Sequence, residues 1–263
     1  MRNLSHIGRV FYGMAIAGLG ILTIYYSDFP YMLLPANHYS IPGHAMATYV
    51  SGAILTVAGI CIVFEKKIRP VSLTLGVILL LIFCFYFIPY QFISNPNYMH
   101  FGEWENAAKE LALAAGALVI AACFTGKNIK SFGRFLEKLI SFGAIFYAIT
   151  ILSFGIDHFL FAHEASDYIP AWIPYHLFWM YVTGTALLVS SIAIILKIKT
   201  ALFATLLGSM TFTWFVILHI PRVISSPPAY LSSEIASAFL ALAYSGTAFV
   251  IAGACKSSLW KEK

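Results

Sequence analysis

The sequence predicts an all-α integral membrane protein: eight transmembrane helices forming two parallel four-helix repeats, related by a pseudo-twofold axis along the membrane normal. Three observations predict it. Of 263 residues, 60% are hydrophobic and only 10% charged, where a soluble domain carries roughly a quarter charged. Apolar runs of about 17 to 20 residues recur along the chain, each long enough to cross the hydrocarbon as a helix. Finally, "IPGHAMATYVSG" at 41 to 52 returns as "IPYHLFWMYVTG" at 173 to 184 with six of twelve positions unchanged.

The runs are 10–26, 45–64, 71–87, 107–124, 139–156, 177–196, 201–218 and 235–254. Helices are expected because lipid offers no water to satisfy an unpaired backbone, and the alternation of a membrane strand is missing. The first run follows Arg2 and Arg9 and reads as a retained helix, since no small-residue cleavage site leads into a soluble domain. Cys61, Cys84, Cys123 and Cys255 lie inside or at the ends of the runs without close pairing, and are expected as buried small hydrophobes.

Placing the amino terminus inside puts fourteen of sixteen Lys and Arg residues on the cytoplasmic side, leaving Lys109 and Arg222 outside. The inner loops are short, so the positive-inside rule orients the chain and makes both termini cytoplasmic. The net charge of +5 then resides in the inner rim, and no nucleic-acid partner is expected. The partner implied by composition is the lipid bilayer. Seven of eight histidines and most carboxylates fall outside, between proline-punctuated segments.

The repeat pairs Ile41/Ile173, Pro42/Pro174, His44/His176 and Gly52/Gly184, then extends to Gly76/Gly208, Pro89/Pro221, Gly13/Gly143 and Gly116/Gly246. It divides the chain into a first repeat at 1–126, a basic cytoplasmic linker at 127–138 and a second repeat at 139–263. Four spans per repeat make the copies parallel. The matched glycines suit close helix contact. No broken helix is expected in mid-membrane.

Candidate site residues follow from what the copies share and where they differ. His44 and His176 open equivalent helices; they are either interfacial histidines bonded to loop backbone or imidazoles facing the axis and sharing a ligand, metal or proton path. Comparing "FIPYQ" with "HIPRV" shows His219 and Arg222 where the first half has Phe87 and Tyr90. With Trp214 less than two turns earlier, they suggest a pocket for an anionic or carbonyl head group, the alternative being an arginine anchored to lipid phosphate. Glu110, whose repeat mate is Leu240, lies near the outer edge of hydrocarbon, where an ionisable group is either functional or held by a structural partner. Trp179 and Trp214 lie deeper than the interfacial tryptophans and either pack the core or line a cavity for a planar ligand. Asp157, His158, His163, Glu164 and Asp167 match no metal motif and read as a wet polar loop; no metal site is expected.

The stretch from Phe154 to Leu188, with His158–Phe159, "PAWIP" at 170 to 174, "FW" and Gly184, and "LHIPRV" at 218 to 223, resembles the DoxX-like family of small four-helix membrane proteins of bacteria and archaea. The resemblance covers 139–254 and, more faintly through the repeat, 10–124, so the chain resembles a tandem DoxX-like protein. It implies a prokaryotic cytoplasmic membrane, an architecture, and a leaning toward quinone-linked redox work beside membrane-complex or redox partner proteins. It supplies no catalytic residues, and whether the chain is an enzyme stays open. The expectation is a redox-associated module binding a quinone or similar lipophilic ligand near the extracytoplasmic face, with His176, His219 and Arg222 around its oxygens. Haem held by His44 and His176 has weaker support. The alternative is a non-enzymatic carrier of lipid or small amphiphile, or an accessory subunit.

Overall fold

The structure is a computed structural model that describes residues 2–35, 43–94, 104–124 and 138–254. Ile41, Pro42, His38, His100 and Glu103, the linker up to residue 137, and Cys255 with the basic residues after it lie outside the described residues. Among the described residues every regular element is helical. Eight long helices follow one another: α1 (Arg2–Tyr26), α2 (His44–Val63), α3 (Ile68–Ile82), α4 (Glu105–Ala122), α5 (Gly143–Leu160), α6 (His176–Leu196), α7 (Thr200–Trp214) and α8 (Pro228–Ala254). Seven of these, with the short turns that extend them, are long and apolar enough to cross a membrane.

The exception is α4, which carries Glu105, Lys109 and Glu110 in its first two turns. Its surroundings account for the charge. α4 packs against α3, α5 and α8, and every residue from Ala112 to Ala121 is buried. Polar side chains in a membrane helix are tolerated where the helix faces protein instead of lipid.

α4 and α8 meet at the centre of the bundle. α8 also packs on α1 and α7, and α4 on α3 and α5; the outer contacts are α1 with α2, α5 with α6, α2 with α3 and α6 with α7. Burial separates centre from periphery: 78% of the α8 span is buried, against 33% for α2. Two of the closest approaches require glycine. A Cβ on Gly20 of α1 would stand 2.5 Å from the Gly52 carbonyl oxygen and the Thr56 nitrogen of α2. One on Gly116 of α4 would stand 2.3 Å from the Tyr12 ring, which lies there because its hydroxyl donates to the Leu113 carbonyl at 2.5 Å. α5 is tied to α8 in the same manner, Tyr147 donating its hydroxyl to the Tyr244 carbonyl at 2.8 Å.

Backbone punctuation recurs along the chain. α2 and α6 start after the left-handed residues Gly43 (φ 75°) and Tyr175 (φ 60°), and α3 and α7 after Lys67 (φ 46°) and Lys199 (φ 41°). The turns before them pass through Glu65 (φ 57°) and Lys197 (φ 59°). α3 widens into a π turn at Phe83–Phe87 and α7 into one at Phe215–His219. Each member of these pairs lies 132 residues from its mate. Pro89 and Pro221 supply a cause for the π turns: proline has no N–H, and its ring crowds the carbonyl four residues earlier. The hydrogen-bond ladder slips by one residue to relieve it. The sequence reading anticipated no such interruption.

At one end of the bundle two guanidinium groups close helix termini. Arg9, only 4% exposed, donates to the carbonyls of Ile62 and Val63, the latter at 2.6 Å, and pairs with Glu65 at 2.9 Å. Arg69 donates to the carbonyls of Ala121, at 2.8 Å, and Phe124. Both occupy helix C-termini, where carbonyls lack intrahelical partners and the dipole is negative.

Candidate functional site

The opposite end of the bundle holds a cavity of about 440 Å³ lined by residues 167–171, His176, Pro221, Arg222 and Ser225. Three chain segments build it. After the π turn, Pro221 sits in the first turn of a short helix, Ile220–Ser225, that carries Arg222 to the cavity wall. The segment after α5 turns back on itself: the amide of Tyr168 donates to the Ala165 carbonyl at 3.2 Å, that of Ile169 to Ser166 at 3.1 Å, and that of Ile173 to Pro170 at 2.9 Å. Ile169 and Ile173 are buried with Met180 in a small apolar cluster that Trp214, Ile217 and Leu218 complete. This cluster fixes the floor. The third segment is the start of α6, where Tyr175 takes the left-handed conformation that glycine supplies at Gly43, at a cost of roughly 1–2 kcal/mol.

Arg222 is the electrostatic centre. Its Nε donates to Glu234 Oε2 at 2.8 Å and its Nη2 to Glu234 Oε1, a forked pair with the second turn of α8. Its guanidinium also stacks over the Tyr168 ring, 4.5 Å from the centroid. Forked geometry and a ring face together orient a guanidinium more firmly than either does alone. The partner that Arg222 meets is thus a carboxylate of the chain itself. The cavity therefore presents a balanced pair instead of a bare cation, with Asp167 and His176 on its other walls.

The seven residues singled out from sequence fall in different places. His176 and Arg222 line the cavity. Trp214 lies in the apolar cluster that underpins the floor. His219 is one turn before Arg222, its Nδ1 buried and without a hydrogen-bond partner among the described residues, but it is not among the lining residues. Trp179 is exposed and meets Phe178 edge-on at 5.4 Å, away from the cavity. His44 stands 3.6 Å from Asp28 and edge-on to Phe29. It does not share the cavity with His176, and the helices they open, α2 and α6, both lie outside the central α4–α8 contact. Glu110 is fully buried in α4 and lies outside the cavity. Glu234 and Tyr168 were not singled out. The usable signal for Glu234 was Arg222 itself, a charge at an apolar helix end that needs a carboxylate within reach.

Among the described residues, no three His, Cys, Asp or Glu side chains gather to hold a metal ion. No family model, curated protein or solved structure matches the chain.

Proposed function

We propose that the chain is an eight-span membrane protein of the DoxX-like type with both termini cytoplasmic, built from repeats at 1–126 and 139–263, and that it binds a quinone or similar lipophilic ring compound near the extracytoplasmic face. The left-handed and π turns at a constant interval support the repeat. So does the packing, in which each contact between long helices has a counterpart when α1–α4 are exchanged with α5–α8. The acidic end of the bundle is then the outer one.

The binding reading is carried by one observation: a cavity within the usual ligand range of about 300–1,000 Å³ opens beside exposed Trp172, Tyr175 and Ile224, the sequence neighbours of lining residues Ala171, His176 and Ser225. An amphipathic ligand would place its ring oxygens toward His176, Tyr168 and the unused Nη1 of Arg222, and its chain along the apolar rim. The protein binds and orients; electron transfer belongs to a redox partner in the membrane. Mass spectrometry of the organic extract of purified protein tests this. Arg222→Leu and His176→Phe should each cut the ligand-to-protein ratio about tenfold, the effect of losing about 1.4 kcal/mol. If both variants keep the wild-type ratio, the cavity is not the site.

A second reading, a carrier or accessory subunit handling a phospholipid or small amphiphile, is favoured by the Arg222–Glu234 pair, which offers both signs to a zwitterionic head group. The same extract would then contain phospholipid in place of quinone.

A further inference from the structure

Two opposite charges line the outer cavity without meeting. Arg222 commits Nε and Nη2 to Glu234 and keeps Nη1 uncommitted among the described residues. Asp167, on another wall of the same 440 Å³ cavity, is exposed and has no hydrogen bond or ion pair among the described residues. Since Arg222 and Glu234 cancel, and with His176 counted neutral, Asp167 leaves the cavity formally anionic.

The backbone at both charges is held before any ligand arrives. Asp167 follows the short helix Ala162–Ser166, where Ser166 Oγ donates to the His163 carbonyl at 2.7 Å. The amides of Tyr168 and Ile169 bond back to Ala165 and Ser166, and Ile169 beyond them is anchored in the apolar cluster. The fork to Glu234 and the face of Tyr168 hold the guanidinium. A ligand that bridges the two charges therefore meets a site that needs little further ordering.

The chemistry narrows what such a ligand carries. A purely anionic head group would add charge to a cavity with a surplus of the same sign and leave Asp167 uncompensated. A quaternary ammonium has no N–H to donate to a carboxylate and relies on aromatic faces, but the Tyr168 ring is already covered by the Arg222 guanidinium. A primary ammonium donates to a carboxylate directly. Exposed Trp172 and Tyr175 stand in sequence beside the lining residues Ala171 and His176, and such rings collect in the head-group layer of a bilayer. The source is then a lipid and not a dissolved zwitterion.

We propose that the outer cavity selects a phospholipid whose zwitterionic head group ends in a primary ammonium, its phosphate taken by Arg222 and its ammonium by Asp167, which is the specificity-determining residue. The inference rests on the second reading above, that of a protein handling phospholipid; Asp167 adds which phospholipid.

Native mass spectrometry of the purified full chain, titrated with phosphatidylethanolamine, phosphatidylcholine and phosphatidylglycerol of identical acyl chains, tests it. Phosphatidylethanolamine should bind about tenfold more tightly than either of the others, the effect of one charge-assisted hydrogen bond. Asp167→Asn should bring it down to the level of phosphatidylcholine, and Arg222→Leu should weaken both. Glu164→Gln removes an exposed carboxylate of the same segment that does not line the cavity, and should keep the wild-type preference. Equal binding of phosphatidylethanolamine and phosphatidylcholine to wild type, or a preference that survives Asp167→Asn, would overturn the selection by Asp167 while the weakening by Arg222→Leu still upheld a phospholipid site. Binding that Arg222→Leu leaves unchanged for all three lipids removes the phospholipid reading itself. Displacement of the bound lipid by an equal concentration of soluble glycerophosphoethanolamine would assign the cavity to a dissolved zwitterion and overturn the lipid source.

Discussion

The first and second halves of the chain place their left-handed turns and π turns at the same interval, yet hold their engaged arginines at opposite ends. In the first half, Arg9 and Arg69 close helix termini at the basic end. In the second half, the forked pair Arg222–Glu234 lies at the acidic end beside a cavity. Where Arg222 stands, the first half has Tyr90, and where His219 stands, Phe87. The contrast teaches that backbone and side chains answer to different demands. The first half reads as the braced half, and the second as the one whose charged pair borders a cavity.

The sharpest way to break the comparison is at the helix contacts. Gly20→Val in the α1–α2 contact collides with backbone atoms and should cost roughly 1–3 kcal/mol or more, seen as loss of a monodisperse peak or a large fall in melting temperature. Gly184→Ala in the α5–α6 contact meets side-chain atoms of His158 and Phe159 and should cost visibly less. Next comes Arg9→Met, which strands two helix-end carbonyls and Glu65; a loss of roughly 2–3 kcal/mol is expected in thermal unfolding. Arg222→Leu should destabilise by only roughly 1–2 kcal/mol, because the pair is partly exposed, while Tyr90→Leu should stay within about 0.5 kcal/mol. Smallest of all, Lys199→Gly relieves a left-handed residue; melting should be unchanged or slightly higher, by up to about 1 kcal/mol.

Helix positions were legible because apolar runs mark them: the run at 177–196 became His176–Leu196. The ends were less so. The run at 201–218 stops where hydrophobicity stops, but the helix continues through its π turn to Ser225, because backbone bonding does not depend on side-chain polarity. The run at 10–26 omitted the turns before it, since Arg9 looks like a solvated rim residue until helix-end carbonyls are found to surround it. Left-handed turns are sought at glycines, and here Glu65, Lys67, Tyr175, Lys197 and Lys199 adopt them. Of the site, His176 and Arg222 were legible as polar groups at apolar helix ends. The pairing of Arg222 with Glu234, twelve residues on across a proline-containing turn, was not, because its geometry depends on where the next helix begins. Trp179 shows the converse: an aromatic in an apolar run gives no sign of which side it faces, and this one is exposed.

The π turn at Phe215–His219 acts as a phase shifter. One residue more per turn rotates everything beyond it by about 100° relative to an unbroken α-helix, so a helical wheel drawn straight through from Thr200 would aim Arg222 at the wrong neighbour. Removing a single residue between 215 and 219 would leave the composition of α7 almost untouched, yet turn the guanidinium away from Glu234. The direction in which Arg222 points is therefore set by a residue count several positions upstream of it.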